Sequence, residues 1–311
     1  MKLEETKKTF DHIMHEVGKV IVGQEEVLKQ MLVSLLTNSH ALLEGYPGLA
    51  KTLAVRTMSE LMDLKFSRVQ NTPDLMPSDI TGTYIIEEGS GGKRNFKFQP
   101  GPIFANIVLA DEINRATPKT QSALLEAMQE KQVTVGNSTF ELEQPFFVLA
   151  TQNPIEQEGT YPLPEAQTDR FLLKIKTEYP SPAEELEIVN RYAVEQKPIK
   201  LNSVLNKNSL LFLQKIVRQV PISSDIKKYA VGMVTSTRNK KNLIEYGASP
   251  RASIGLVLAS KARALIEGRK YVSKQDINAM AYPVLRHRLI LSFEAERQNM
   301  DVDDVIKTLI K

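Results

Sequence analysis

The stretch EGYPGLAKT, Glu44 to Thr52, decides how the chain is read. It follows the phosphate-cradling pattern G-x-x-x-x-G-K-[ST] except at Ala50, which stands where the second glycine belongs. HALLEG ahead of it supplies an apolar strand, and KTLAVRTMSELM after it has the spacing of an amphipathic helix. Strand, glycine turn, lysine, hydroxyl and helix together present backbone N–H groups and a helix N-terminus to phosphate. In that frame Gly45 and Gly48 give the turn its freedom. Lys51 would neutralise the β- and γ-phosphates, and the Thr52 hydroxyl would ligate magnesium. Ala50 adds only a methyl group, tolerable if its φ stays negative and damaging if φ is positive. Small residues also meet so relaxed a pattern by chance, so the loop alone leaves the question open.

Two further stretches bear on it. ANIVLADEINRA is an apolar strand ending in Asp111 and Glu112. The first carboxylate suits water-mediated magnesium binding, and the second can polarise a water for attack on a γ-phosphate. The alternative is a strand that ends in an exposed acidic turn. FFVLATQNP, Phe146 to Pro154, is a second apolar strand, ending in Thr151, Gln152 and Asn153. Strands ending at a sheet's carboxyl edge place such residues in the ligand crevice. Asn153 could orient the attacking water there, or simply form an Asn-Pro turn.

Around these sites short apolar runs alternate with helical patterns, which predicts an α/β domain on a parallel sheet. Candidate strands are Ala41–Leu43, Lys65–Val69, Ile107–Ala110, Phe146–Thr151 and Phe171–Ile175. In TPKTQSALLEAMQE, Thr117 can cap a helix and Pro118 fits its first position. Two inserts interrupt the alternation: a hairpin or mobile loop over Gly82 to Gly101, built around GSGG, and a hairpin over Lys131 to Leu142 turning near Gly136-Asn137. YPSPAEE, Tyr179 to Glu185, reads as a hinge, with Ser181 capping a helix that starts at Pro182. Beyond it the periodicity is helical almost to the end. The expected organisation is a nucleotide-binding core over 1–178 and a smaller, all-helical domain over 179–311.

Bulk properties fit a globular protein of 311 residues with 42% hydrophobic and 25% charged residues. With no cysteine, disulfides, thiol catalysis and thiolate metal sites are excluded. The four histidines do not gather; His12 and His15 could share a helix face but lack a third ligand. The charged start MKLEETKKTF is no secretory signal, and no run approaches ~18 apolar residues, so a cytoplasmic protein without a membrane span is expected. A net charge of +3 gives no general nucleic-acid footprint.

The chain resembles an AAA+ ATPase of the MoxR family, through GYPGLAKT, VLADEINRATPKTQSALLEAMQEKQVTV, FFVLATQNPIEQEGTYPLPEAQTDRF and GASPRA. Alanine before the lysine is usual in that family. The resemblance implies a P-loop NTPase core with a five-stranded parallel sheet, a helical lid, and ATP with Mg2+ as cofactors. It makes Gly45, Pro47, Gly48, Leu49, Ala50, Lys51 and Thr52 the Walker A loop, with Asp111 and Glu112 as Walker B. It aligns Asn153 with sensor 1, Arg170 with the arginine finger and Arg251 with sensor 2. Ile21-Val22-Gly23-Gln24 resembles the segment beside adenine, which adds Val22 and Gly23. Gly82–Gly101 matches the helix-2 insert of the subgroup that includes magnesium-chelatase motors. A homo-hexameric ring with a chaperone-like role is implied, acting on protein clients such as von Willebrand A domain proteins. Arg170 has a plainer alternative, a surface arrangement with Asp169, and Arg115 beside Walker B is left open. A nucleic-acid motor and a nucleotide-regulated scaffold are the other readings. KRNFK, Lys93 to Lys97, speaks weakly for the former; Glu112 and Arg170 speak against the latter. The hairpin tips read as polar and glycine-rich rather than aromatic.

Overall fold

The structure is a computed structural model and describes residues 3–88, 94–155, 159–194 and 199–310. The chain begins with α1 (Leu3–Gly18) and α2 (Glu25–Leu36), then β1 (Ala41–Glu44), α3 (Lys51–Leu61), β2 (Phe66–Gln70) and the short α4 (Pro77–Thr81). A hairpin of β3 (Gly82–Glu88) and β4 (Arg94–Pro100) precedes β5 (Ile107–Asp111) and α5 (Pro118–Glu130). A second hairpin, β6 (Gln132–Val135) and β7 (Ser138–Glu141), leads to β8 (Phe147–Gln152), α6 (Glu165–Thr168) and β9 (Leu173–Lys176). The C-terminal part holds α7 (Pro182–Tyr192), α8 (Lys207–Gln219), α9 (Ser224–Ser236), β10 (Ile244–Tyr246), α10 (Pro250–Ile266), α11 (Lys274–Leu285), β11 (Ile290–Leu291), α12 (Phe293–Arg297) and α13 (Val302–Lys307).

Five strands form one parallel sheet in the order β2-β5-β8-β1-β9. The central strands are apolar nearly throughout because both faces are covered. Alternation then divides them: Ala41, Leu43, Ile107, Leu109, Phe147 and Leu149 point to one core, while Leu42, Val108, Ala110, Val148 and Ala150 point to the other. The second core is closed by α5 and the base of β6. The first runs without a break from α1 and α2 into α8, α10 and α11, so the expected division at residue 178 separates chain segments that share one core. The two N-terminal helices supply much of that bridge, a role the sequence reading did not give them.

Local signals are kept, with three differences. Ser181 caps α7, accepting from the Glu184 N–H while the Glu184 carboxylate accepts from the Ser181 N–H at 2.8 Å. Thr117 occupies the cap position of α5, but its hydroxyl pairs with the Thr120 hydroxyl at 3.2 Å rather than capping the backbone. The helical C-terminal part is not entirely helical: β10 and β11 form a two-stranded antiparallel ribbon within it. The third difference concerns the first insert. It is a hairpin with Ile86 opposite Phe96, and GSGG lies outside the described residues. Phe98 stacks on Phe140 of the second hairpin at 4.1 Å between centroids, whereas Ile86 and Phe96 stay exposed. Apolar surface therefore lies just below a tip that reads as polar.

Candidate active site

Between β1 and α3 the loop closes against the sheet. A Cβ on Gly45 would fall within 1.6 Å of Thr177 Oγ1, so only glycine fits there. Gly48 has φ +81 and Ala50 has φ +53. Ala50 thus takes the costly alternative of the two that the sequence left open, a left-handed conformation that costs a non-glycine residue about 1 kcal/mol or more. Lys51 Nζ turns back to donate to the Gly45 carbonyl at 2.6 Å. α3 starts at Lys51, so the helix N-terminus, the end that favours anions, directly follows the loop.

The second wall comes from the carboxyl ends of neighbouring strands. Register places Gln70 beside Asp111, and Ala110 beside Ala150, so the polar residues that follow converge. The fully buried Thr151 hydroxyl donates to Asp111 Oδ1 at 2.6 Å and accepts from the Glu112 N–H at 2.8 Å. Glu112 itself is left-handed, with φ +54. Arg68 donates to Asp111 Oδ2 at 2.7 Å and to Gln70 Oε1 at 2.6 Å, and Gln70 Nε2 reaches Glu112 Oε2 at 3.1 Å. Arg115 Nε lies 3.2 Å from the same Glu112 oxygen. Buried Asn153 accepts from the Ile155 N–H at 3.3 Å.

These walls enclose a cleft of about 410 Å³ shared by Pro47, Gly48, Leu49, Ala50, Lys51, Thr52, Asp111, Glu112 and Asn153. Lysine and helix N-terminus suit a polyphosphate, and the Thr52 hydroxyl and Asp111 carboxylate are hard oxygen donors of the kind magnesium takes. The donor set therefore fits a magnesium-nucleotide. Val22 and Gly23 line an adjoining cleft of about 400 Å³ with Tyr179 and Glu184. It is tied to the loop by Gln24 Nε2, which donates to the Leu49 carbonyl at 3.1 Å, and by Tyr46 stacked on Tyr179 at 5.0 Å. Arg170 and Arg251 are not among the residues lining either cleft. Exposed Arg170 donates to the Leu125 carbonyl at 3.1 Å. Arg251 lies 3.4 Å from Asp169.

Residues 40–173 match the family described as ATPase family associated with various cellular activities, and residues 236–309 match its AAA lid domain. The chain is 46% identical over 311 residues to Chaperone MoxR1 of Mycobacterium tuberculosis, covering 97% of this chain and 81% of that protein. The chain belongs to the MoxR family of AAA+ ATPases. Protein MoxR of Methylorubrum extorquens is 29% identical over 325 residues, with 95% of this chain and 92% of that one covered. A crystal structure from Cytophaga hutchinsonii superposes with a TM-score of 0.91 at 44% identity, over 99% of this chain and 94% of that chain.

For a MoxR chain, the phosphate-side residues expected from the sequence are thus brought to one place and the two arginines are held elsewhere. The plainer alternative for Arg170 is not what forms: Asp169 pairs with Arg288 and Arg251 of the lid instead. Arg68, Gln70 and the clasp made by Thr151 were not singled out in advance. Arg68 and Gln70 alternate on one face of β2, but only the pairing of β2 with β5 brings them beside Asp111 and Glu112. Ala50→Gly is expected to stabilise the protein by about 0.5–1 kcal/mol, because relief of the left-handed strain outweighs the added freedom of the unfolded chain. A urea midpoint that falls on this substitution would contradict the strain assignment.

Proposed function

We propose that the chain is a magnesium-dependent ATPase that works as a cytoplasmic homo-hexameric ring and remodels or matures other proteins. The observation that carries this reading is the division of the site. Lys51, Thr52, Asp111, Glu112 and Asn153 share a cleft from which Arg170 and Arg251 are absent. A second subunit would complete it. Lys51 would exchange the Gly45 carbonyl for phosphate oxygens, and Val22 and Gly23 would lie beside the base. Thr52 and Asp111 would hold magnesium, which supplies neutralisation of charge on the β- and γ-phosphates. Glu112 would polarise the attacking water, Asn153 would orient it, Arg170 would reach the nucleotide of the next subunit, and Arg251, as sensor 2, would meet bound nucleotide from the lid.

A protein client suits the surface better than a nucleic acid. Three lid lysines are engaged within the chain: Lys240 donates to the Thr308 carbonyl, Lys241 to that of Glu245 and Lys261 to that of Arg218. Exposed Ile86 and Phe96 offer apolar contact instead. Chaperone is also the word in the name of the Mycobacterium relative. A metal-binding von Willebrand A domain protein is the partner class we favour, with residues 179–185 as the hinge between 1–178 and 179–311. Glu112→Gln tests the core of the reading. ATP turnover should fall by ~10² or more while nucleotide affinity is retained. Unchanged turnover would end it. The same variant with ATP should hold its client longest in a pull-down.

A further inference from the structure

Arg170 sits in a backbone segment that the lid grips from outside. Arg288, just beyond α11, has a side chain only 3% exposed, and all five of its N–H donors are used. Nε donates to Asp169 Oδ1 at 2.7 Å, and Nη2 to the Asp169 and Phe171 carbonyls at 3.2 and 2.6 Å. Nη1 donates to the Leu172 carbonyl at 3.0 Å and to the Val284 carbonyl near the end of α11. Three of the five bonds therefore fall on the immediate neighbours of Arg170, and a fourth on Leu172, two residues on. Neighbouring lid groups add to the grip. His287 Nε2 meets the Phe171 carbonyl at 2.9 Å, the Thr168 hydroxyl donates to the His287 carbonyl at 3.3 Å, and Ser249 Oγ donates to Asp169 Oδ2 at 3.0 Å.

We propose that Arg288 is the positioning residue of Arg170, so that lid orientation in one subunit sets how well the finger reaches the nucleotide of the next. This rests on the reading of Arg170 as a finger acting in trans. Arg288 cannot itself touch that nucleotide, because its donors are spent inside its own subunit. Its effect passes through the backbone at 169–172, where a planar fork holds several carbonyls in fixed relation and an ammonium could not. A shift of about 1 Å in a reacting group is enough to cost ~10²-fold in rate. A lid that rocks on its own nucleotide would thus carry the finger with it, and adjacent sites would be coupled without any contact between their ligands.

Mixed rings separate this from a merely structural role. Glu112→Gln subunits donate a finger but cannot hydrolyse, and Arg170→Ala subunits hydrolyse only with a neighbour's finger. Neither is active alone, and the mixture should be. Arg288→Lys is then placed in one subunit type at a time. In the finger donor it should lower turnover about tenfold or more; in the acceptor it should lower it less than about twofold, since no finger there needs positioning. Equal losses from both placements, or none from the donor, would overturn the proposal. An unmodified mixture that stays inactive would instead remove the trans reading and the proposal with it. Because Arg288 is buried, Asp169→Asn serves as a second, shape-conserving variant and should show the same asymmetry. Unfolding midpoints and ring assembly of each variant establish that the subunits compared are folded.

Discussion

Arg170→Ala is expected, on the proposed trans reading, to lower ATP turnover by ~10³–10⁵, the range over which an arginine finger acts. The argument is electrostatic and geometric. Charge builds on the transferred phosphoryl oxygens, and the cleft of one chain already contains Lys51 but not Arg170. Arg170 is exposed, and its guanidinium meets only a carbonyl, that of Leu125, among its described hydrogen bonds. It is therefore available to a second molecule at modest cost. Arg170→Lys should recover part of the loss, since the charge returns but the planar fork does not. Nucleotide affinity of the subunit should change little. Rings of Arg170→Ala that assemble normally and turn over ATP at the parental rate would show that hydrolysis is completed within one chain.

The second large effect concerns stability rather than catalysis. His40 lies in the core beneath the start of β1, where its Nε2 donates to the Met128 carbonyl at 3.0 Å and its Nδ1 accepts from the Val148 N–H at 3.0 Å. Burial, reinforced by the Lys131 charge and opposed by the Met128 carbonyl, pushes its pKa down to about 4 from an ordinary 6.5. Because the folded value lies below the unfolded one, the unfolded chain holds more protons between those two pH values. Stability is thus fully present above about 6.5 and declines as pH falls toward 4, by about 3 kcal/mol or ~10² in the folding equilibrium. Half-buried His287 is pushed well below its ordinary value, by desolvation first and then by the Arg288 charge, and acts in the same direction. Urea midpoints from pH 7.5 to 4.5, run on the parent and on His40→Asn, should show a flatter profile for the variant (a pH range chosen to span the ordinary His value). Parallel profiles would mean that His40 does not carry the proton linkage.

The parts of this protein that announce themselves in sequence are those in which chemistry and local backbone need coincide. Gly45, Gly48, Lys51 and Thr52 lie close in sequence because a single loop and the first turn of α3 hold them, the arrangement that the sequence pattern describes. Asp111 ends an apolar run and Asn153 lies just beyond one, because Asp111 is the last residue of buried β5 and Asn153 the first beyond buried β8. Hairpins, the Ser181 cap and the helical lid are legible for the same reason, since turn chemistry and periodicity act over a few residues.

What lies between elements is decided elsewhere. No local signal orders the strands β2-β5-β8-β1-β9, yet that order alone sets Arg68 and Gln70 against Asp111 and Glu112. The Ala50 conformation could be posed as a question from sequence but answered only by the closed loop. Asp169 looks like the natural partner of the arginine beside it, and the fold gives it Arg288, 119 positions later in the chain. The physical reason is common to all three. Hydrogen bonds and ion pairs depend on distances of about 3 Å, and distances between remote residues exist only once the two cores have packed.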